Sequence, residues 1–169
     1  MTVRPILKFP NPALNVPAAR VDAFDADLQM LAADLLDTMK AAQGIGITAP
    51  HIGVSRQLMV IQLSATDEAR HYVNPQIVWA SDEMIRHKEG SISMQDVLEE
   101  IERHAQVRVN YQDLNGVEQV TEADGLLSVC LQHEIDQLNG IFWITKLSRL
   151  KRDRLIKKYE KVQLVLSRA

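Results

Sequence analysis

The stretch that most limits the fold is DGLLSVCLQHEIDQLNG, residues 124–140. Asp124 is a helix-capping residue type and Gly140 a helix stop, so the segment predicts one helix running to about Asn139. Within it, His133 and Glu134 begin the pattern H-E-x-x-H, but position 137 holds glutamine. Positions i and i+4 share a helix face, so H-E-x-x-H presents two imidazoles to one metal ion, with the glutamate as general base. Gln137 is then expected to point where a second ligand belongs. Taken alone, H-E-x-x-Q is a weak signal, and a capped surface helix containing His and Glu is its default explanation.

The rest of the chain divides into short elements. All six prolines lie in the first 75 residues, four of them in the first 17, which predicts an irregular arm. A helix follows, capped by Asp22 or Asp25, with Leu28, Leu31, Leu35 and Met39 on one face, ending before Gly44 and Gly46. QLMVIQL (57–63) and HYVNPQIVWA (71–80) read as strands, with Pro75 favouring an edge or irregular position. Val107, Val109 and Tyr111 alternate ahead of Asn115-Gly116, with Val117 and Val120 beyond, which predicts a hairpin. An amphipathic helix starts near Ser148. Strands in the middle and helices at both ends predict an α+β fold in one domain over residues 1–169.

Composition sets the setting. No apolar run approaches the ~18 residues of a membrane span, and the N-terminus lacks the apolar core of a signal peptide. Cys130 is the single cysteine, which rules out an internal disulfide and fits a reducing cytoplasm. Charge is uneven. From Leu147 onward eight Lys and Arg face two acidic residues, a net +6, leaving −9 on residues 1–146 of a chain that totals −3. Such a basic helix is either a solvated face or a contact for an anionic partner such as the ribosome. Nothing points to specific DNA binding or to a membrane.

Two further stretches give the helix motif its meaning. GIGITAPHIG (44–53) is a glycine-rich loop and EGSISM (89–94) a Glu-Gly segment. In this order and spacing the three stretches resemble the motifs G-x-G-L-A-A-x-Q, E-G-C-L-S and Q-H-E-x-D-H-L of the peptide deformylase family. The resemblance extends over nearly the whole chain. It implies a deformylase fold, with antiparallel or mixed sheets around the H-E-x-x-(H) helix and a C-terminal helix. It also implies a reaction of bacterial translation, hydrolysis of the N-formyl group from the formylmethionine of nascent proteins. The family uses Fe²⁺, or Zn²⁺ or Ni²⁺, held by one cysteine and two histidines. Its glutamate moves the proton, and a backbone N–H and a glutamine amide help hold the oxyanion.

Placed on this chain, the family pattern is broken at its centre. His133 is the one metal ligand kept, and Glu134 the kept catalytic glutamate. Ser91 stands at the cysteine position, Gln137 at the second histidine and His51 at the oxyanion glutamine. Ile47, Thr48, Gln95 and Leu98 also depart. The expected methionine pocket persists in Ile45, Gly46, Ile92, Val129 and Cys130. A neutral hydroxyl and an amide oxygen are poor replacements for thiolate and imidazole on a transition metal. At about 3–4 kcal/mol per ligand, losing two removes about 6–8 kcal/mol of binding. The expectation is a degenerate site with no tightly bound cofactor, weak or absent hydrolase activity, and retained affinity for formyl-methionyl peptide N-termini. Two alternatives stand beside it: a metallohydrolase rebuilt on His51, His133 and Glu134, and a non-catalytic module for ribosomes or N-terminal peptides.

Overall fold

The computed structural model describes residues 2–169. Helix α1 (Ala26–Ala41) is followed by β1 (Gly46–Thr48), β2 (Leu58–Ile61), β3 (Arg70–Ala80), β4 (Met84–Ser91), β5 (Met94–His104), β6 (Gln106–Gln112) and β7 (Glu118–Asp124), then helices α2 (Gly125–Leu138) and α3 (Arg149–Ser167). Five strands form one sheet in the order β1-β2-β3-β6-β7, and β4 pairs with β5 apart from it. Every pairing is antiparallel, so the mixed sheet allowed by the sequence is not formed. The expected α+β class holds.

The large sheet is covered on both faces. Alternation along β2 turns Leu58 and Val60 toward Leu28, Leu35 and Met39 of α1, and Met59 and Ile61 toward Leu131, Ile135 and Leu138 of α2. The strand is therefore buried at all four positions, the reason it reads as a continuous apolar run. α3 closes a third cluster, laying Leu155 and Tyr159 on Met94, Val97 and Ile101 of β5.

Local signals explain the boundaries. Asp25, not Asp22, caps α1, its side chain accepting from Leu28 N at 3.1 Å. Ser148 caps α3 in the same way, accepting from Lys151 N. Asp124 occupies the N-cap of α2, but its side chain makes no capping bond. Gly140 ends that region at φ +77°, where an added Cβ would lie 2.8 Å from Pro17 N, so only glycine lets the arm pass. Pro75 is not on an edge, since β3 is the middle strand. It is tolerated because the register slips between Val73 and Gln76 and Asn74 sits at φ +50°. The Asn74 side chain exchanges two hydrogen bonds with the Val21 backbone, turning the bulge into a tether for the arm.

The sequence did not disclose the β4–β5 hairpin. Its outward residues are charged, and Asp96 at φ +70° interrupts the alternation, so no period of two is visible. The arm then ties the three motif regions together. Leu7 N donates to His51 O, Phe9 N to Ser93 O and Ala18 N to Leu138 O, at 2.7 to 2.8 Å. Among the described residues no helix is long and apolar enough to cross a membrane.

Candidate functional site

A cleft of about 520 Å³ opens where the three motifs meet. α2 supplies Val129, Cys130, His133 and Glu134; the β4–β5 turn supplies Glu89, Ser91 and Ile92; the segment around β1 supplies Ile45, Gly46 and His51. Gln95 and Leu98 also line it. The structure thus gathers nearly every residue singled out by the sequence. The exceptions are Gln137 and the buried motif residues Ile47 and Thr48, none of which lines the cleft.

His133 is held from behind. Its Nδ1 lies 2.8 Å from Glu89 Oε1, and Arg103 grips both oxygens of Glu89 at 2.8 Å. Arg103 also reaches Asp136 at 2.6 Å, which completes a buried ion network beneath the helix. Burial by itself would raise the Glu89 carboxyl, but the hydrogen bonds from Arg103 and His133 outweigh it and hold it down to about 2. For His133, burial works toward a lower pKa, and the Glu89 bond with the neighbouring Glu134 charge reverses the sign, leaving it raised. A carboxylate that orients a histidine through Nδ1 leaves Nε2 facing the cleft, the support typical of metal-binding histidines. The Glu-Gly motif carries Glu89 in plain view and the helix motif carries Asp136, but Arg103 had no signal of its own.

Glu134 is buried against Gly46, where an added Cβ would meet its Oε1 at 2.5 Å. Gly46 therefore makes room for the carboxyl, a closer contact than a general place in the substrate pocket. Burial pushes the Glu134 carboxyl up to about 7, and its Oε2 has no partner.

His51 is 1% exposed and its Nδ1 lies 2.9 Å from both the Thr48 backbone N and the Thr48 hydroxyl. The short turn Ala49–Ile52 is closed by a capping box in which Thr48 and His51 bond reciprocally. Burial drives the His51 imidazole down to about 3, with the nearby His133 adding to the effect. The ring is neutral. Because Thr48 N–H must donate to Nδ1, the ring proton is on Nε2, and Nε2 has no partner.

Gln137 is turned out of the cleft. It is 2% exposed, and its Nε2 donates to the Leu14 carbonyl at 2.7 Å. The sequence places Gln137 one turn from His133 on α2, and in the structure its amide nitrogen is bonded to the arm. Ser91 does face the cleft, where its Oγ accepts from Ser93 N at 3.1 Å. In the apolar part, Val129 and Cys130 are buried while Ile45, 39% exposed, forms the rim. Burial lifts the Cys130 thiol to about 12, so in the chain alone it is a neutral part of the apolar lining.

These donors do not fit a three-ligand transition-metal centre. Ser91 is a neutral hydroxyl, Gln137 has only a hard amide oxygen to offer once its Nε2 is bonded to Leu14, and His51 presents N–H instead of a lone pair. Among the described residues no three His, Cys, Asp or Glu side chains are grouped so as to hold a metal ion. That counts against the rebuilt His51, His133 and Glu134 site, because using His51 would require breaking its bond from Thr48.

Comparison with known proteins agrees with this architecture. The polypeptide deformylase family model matches residues 3–153. A peptide deformylase-like protein of Brucella melitensis is 60% identical over 163 residues, spanning 96% of this chain and 99% of that protein. A peptide deformylase of Rhizobium meliloti is 42% identical over 164 residues, spanning 95% and 94%. The crystal structure of a peptide deformylase from Legionella pneumophila superposes with a TM-score of 0.94 at 37% identity, covering 99% of both chains. The chain belongs to the peptide deformylase family, a family of metal-dependent hydrolases.

Proposed function

We propose that this family member does not perform deformylation at a useful rate, binds no transition metal tightly, and uses its cleft to bind peptide N-termini. The observation carrying this reading is the donor set at the cleft, where a serine hydroxyl and a glutamine amide accompany the single histidine His133 and His51 is held with its N–H outward. With Ser91 at the cysteine position, one family ligand, His133, is left. Without a Lewis acid, water keeps a pKa near 15.7, and Glu134 alone is far too weak a base to make it a nucleophile.

What persists is the machinery around the missing centre. Arg103 and Glu89 still orient His133, Gly46 still admits Glu134, and Ile92, Val129 and Cys130 still form an apolar recess. Burying a methionine-sized side chain there contributes about 1.5–3 kcal/mol, enough for weak binding once association costs are met. The test is hydrolysis of an N-formylmethionyl peptide with Fe²⁺, Ni²⁺ or Zn²⁺ supplied. Turnover at background is expected, whereas a rate matching an active family member overturns the reading.

A further inference from the structure

Helix α1 covers the large sheet at Ile47, Leu58, Val60 and Val73, on the side of β1, β2 and the start of β3. Further across, the same side of the sheet lies open. Val107, Val109 and Ala123 face α2, so strand alternation sends Arg108, Asn110, Val120 and Glu122 to the opposite side. Trp79 stands in register beside Arg108 and is 47% exposed. The guanidinium lies 5.9 Å from its ring and is bonded in turn to Glu122. A shallow cavity of about 310 Å³ sits there, walled by Trp79, Glu122 and Asp124. Along β7 this face reads Glu118, Val120, Glu122, Asp124, an apolar residue 63% exposed among three carboxylates. An open apolar patch with a charged rim is the usual form of a protein contact.

The chain carries a complement to this face on the far end of α3. Leu155 and Tyr159 seat that helix on β5, and from Leu164 onward every residue is exposed. Spacings of three and four residues put Lys161, Leu164, Val165 and Arg168 on one side of the helix, an apolar pair between two cations. We propose that this end of α3 docks on the open β3–β6–β7 face of a second copy of the chain. Leu164 and Val165 lie against Trp79 and Val120, while Lys161 and Arg168 meet the carboxylates of β7. The cavity suits the stem of one such cation lying along the indole, its charged head reaching Asp124. The net +6 from Leu147 onward and −9 on residues 1–146 orient the two copies head to tail. Pairing of two such faces would set β7 carboxylates against each other, and a nucleic acid would be repelled by them. Because two different surfaces meet, each added copy can repeat the contact.

Sedimentation of the full chain tests this. Its mass should rise with concentration from the micromolar to the millimolar range, and the rise should shrink at high salt. Glu118→Lys with Val120→Lys disables the face, and Leu164→Ser with Val165→Ser disables the helix end. Each pair of changes should weaken self-association at least about tenfold. Mixed together, the two variants should form one-to-one pairs and nothing larger, since each keeps the half the other has lost. A wild-type chain that stays monomeric through the millimolar range overturns the proposal. A face variant that associates as before means that helix ends pair with each other, and an unaffected helix-end variant means that faces do; either overturns it. So does a mixture that forms no pairs. Should a variant not fold, NMR of the labelled wild-type chain gives a second readout. The Trp79 indole N–H and the Leu164 methyls should shift together as concentration rises, and movement of one without the other overturns the docking.

Discussion

Gln137 Nε2 and the Leu14 carbonyl, 123 residues apart in sequence, meet at 2.7 Å inside the protein. The bond ties helix α2 to the N-terminal arm. Replacing Gln137 by leucine leaves the Leu14 carbonyl buried without a donor, a loss of about 1–3 kcal/mol. Urea unfolding should show that loss, and hydrogen exchange should rise over residues 7–18, which then rest on the arm's remaining bonds at Leu7, Phe9 and Ala18.

Restoring the ligands makes a different prediction. A histidine at position 137 can donate Nδ1–H to Leu14 while turning Nε2 to the cleft, the usual support for a ligating histidine. Ser91→Cys with Gln137→His should therefore gain tight metal binding and some hydrolysis of N-formylmethionyl peptides. The gain should be partial, because His51 replaces an oxyanion donor of a type worth about 2.7–4 kcal/mol when lost. Equal activity in the parent and double variant would mean the ligand positions are misassigned.

The buried network under α2 predicts a pH dependence. Glu89 has its pKa lowered from 4.5 to about 2 in the folded protein, so its contribution is present above pH 4.5 and is lost as pH falls toward 2. Glu89→Gln should remove this acid-side loss and leave Arg103 buried without its main partner, costing about 3–5 kcal/mol near neutral pH. Unfolding midpoints of both proteins across pH 2 to 7 measure the difference.

Much of the frame was legible because caps and glycines act locally. Asp25, Ser148 and Gly140 each mark an end, and Asp113 organises the turn before Gly116 through bonds to Asn115 and Val117. The motifs likewise brought His133, Glu134, Ser91 and His51 to one cleft. Helical spacing gave the face of Gln137 but not its partner, because no pattern announces a carbonyl in an irregular arm. Nor does a histidine at position 51 tell which ring nitrogen carries the proton. That depends on the Thr48 backbone.

For the basic helix α3 we propose a weak electrostatic contact with ribosomes. It buries Leu155 and Tyr159 and leaves Lys151, Arg154, Lys157 and Lys158 exposed to solvent. Co-sedimentation should be seen at low salt, fade at moderate salt, and vanish when Lys151, Arg152, Arg154, Lys157 and Lys158 are changed to glutamate. No pelleting at low salt would leave α3 as a packing element for β5.

The central claim is that the donor set no longer holds a transition metal. Elemental analysis of protein purified without chelator and supplied with Fe²⁺, Ni²⁺ or Zn²⁺ tests it most directly. The account predicts well under one tightly held ion per chain after desalting. About one ion per chain, released by His51→Ala, would contradict it and identify His51 as a ligand in place of a fixed N–H donor.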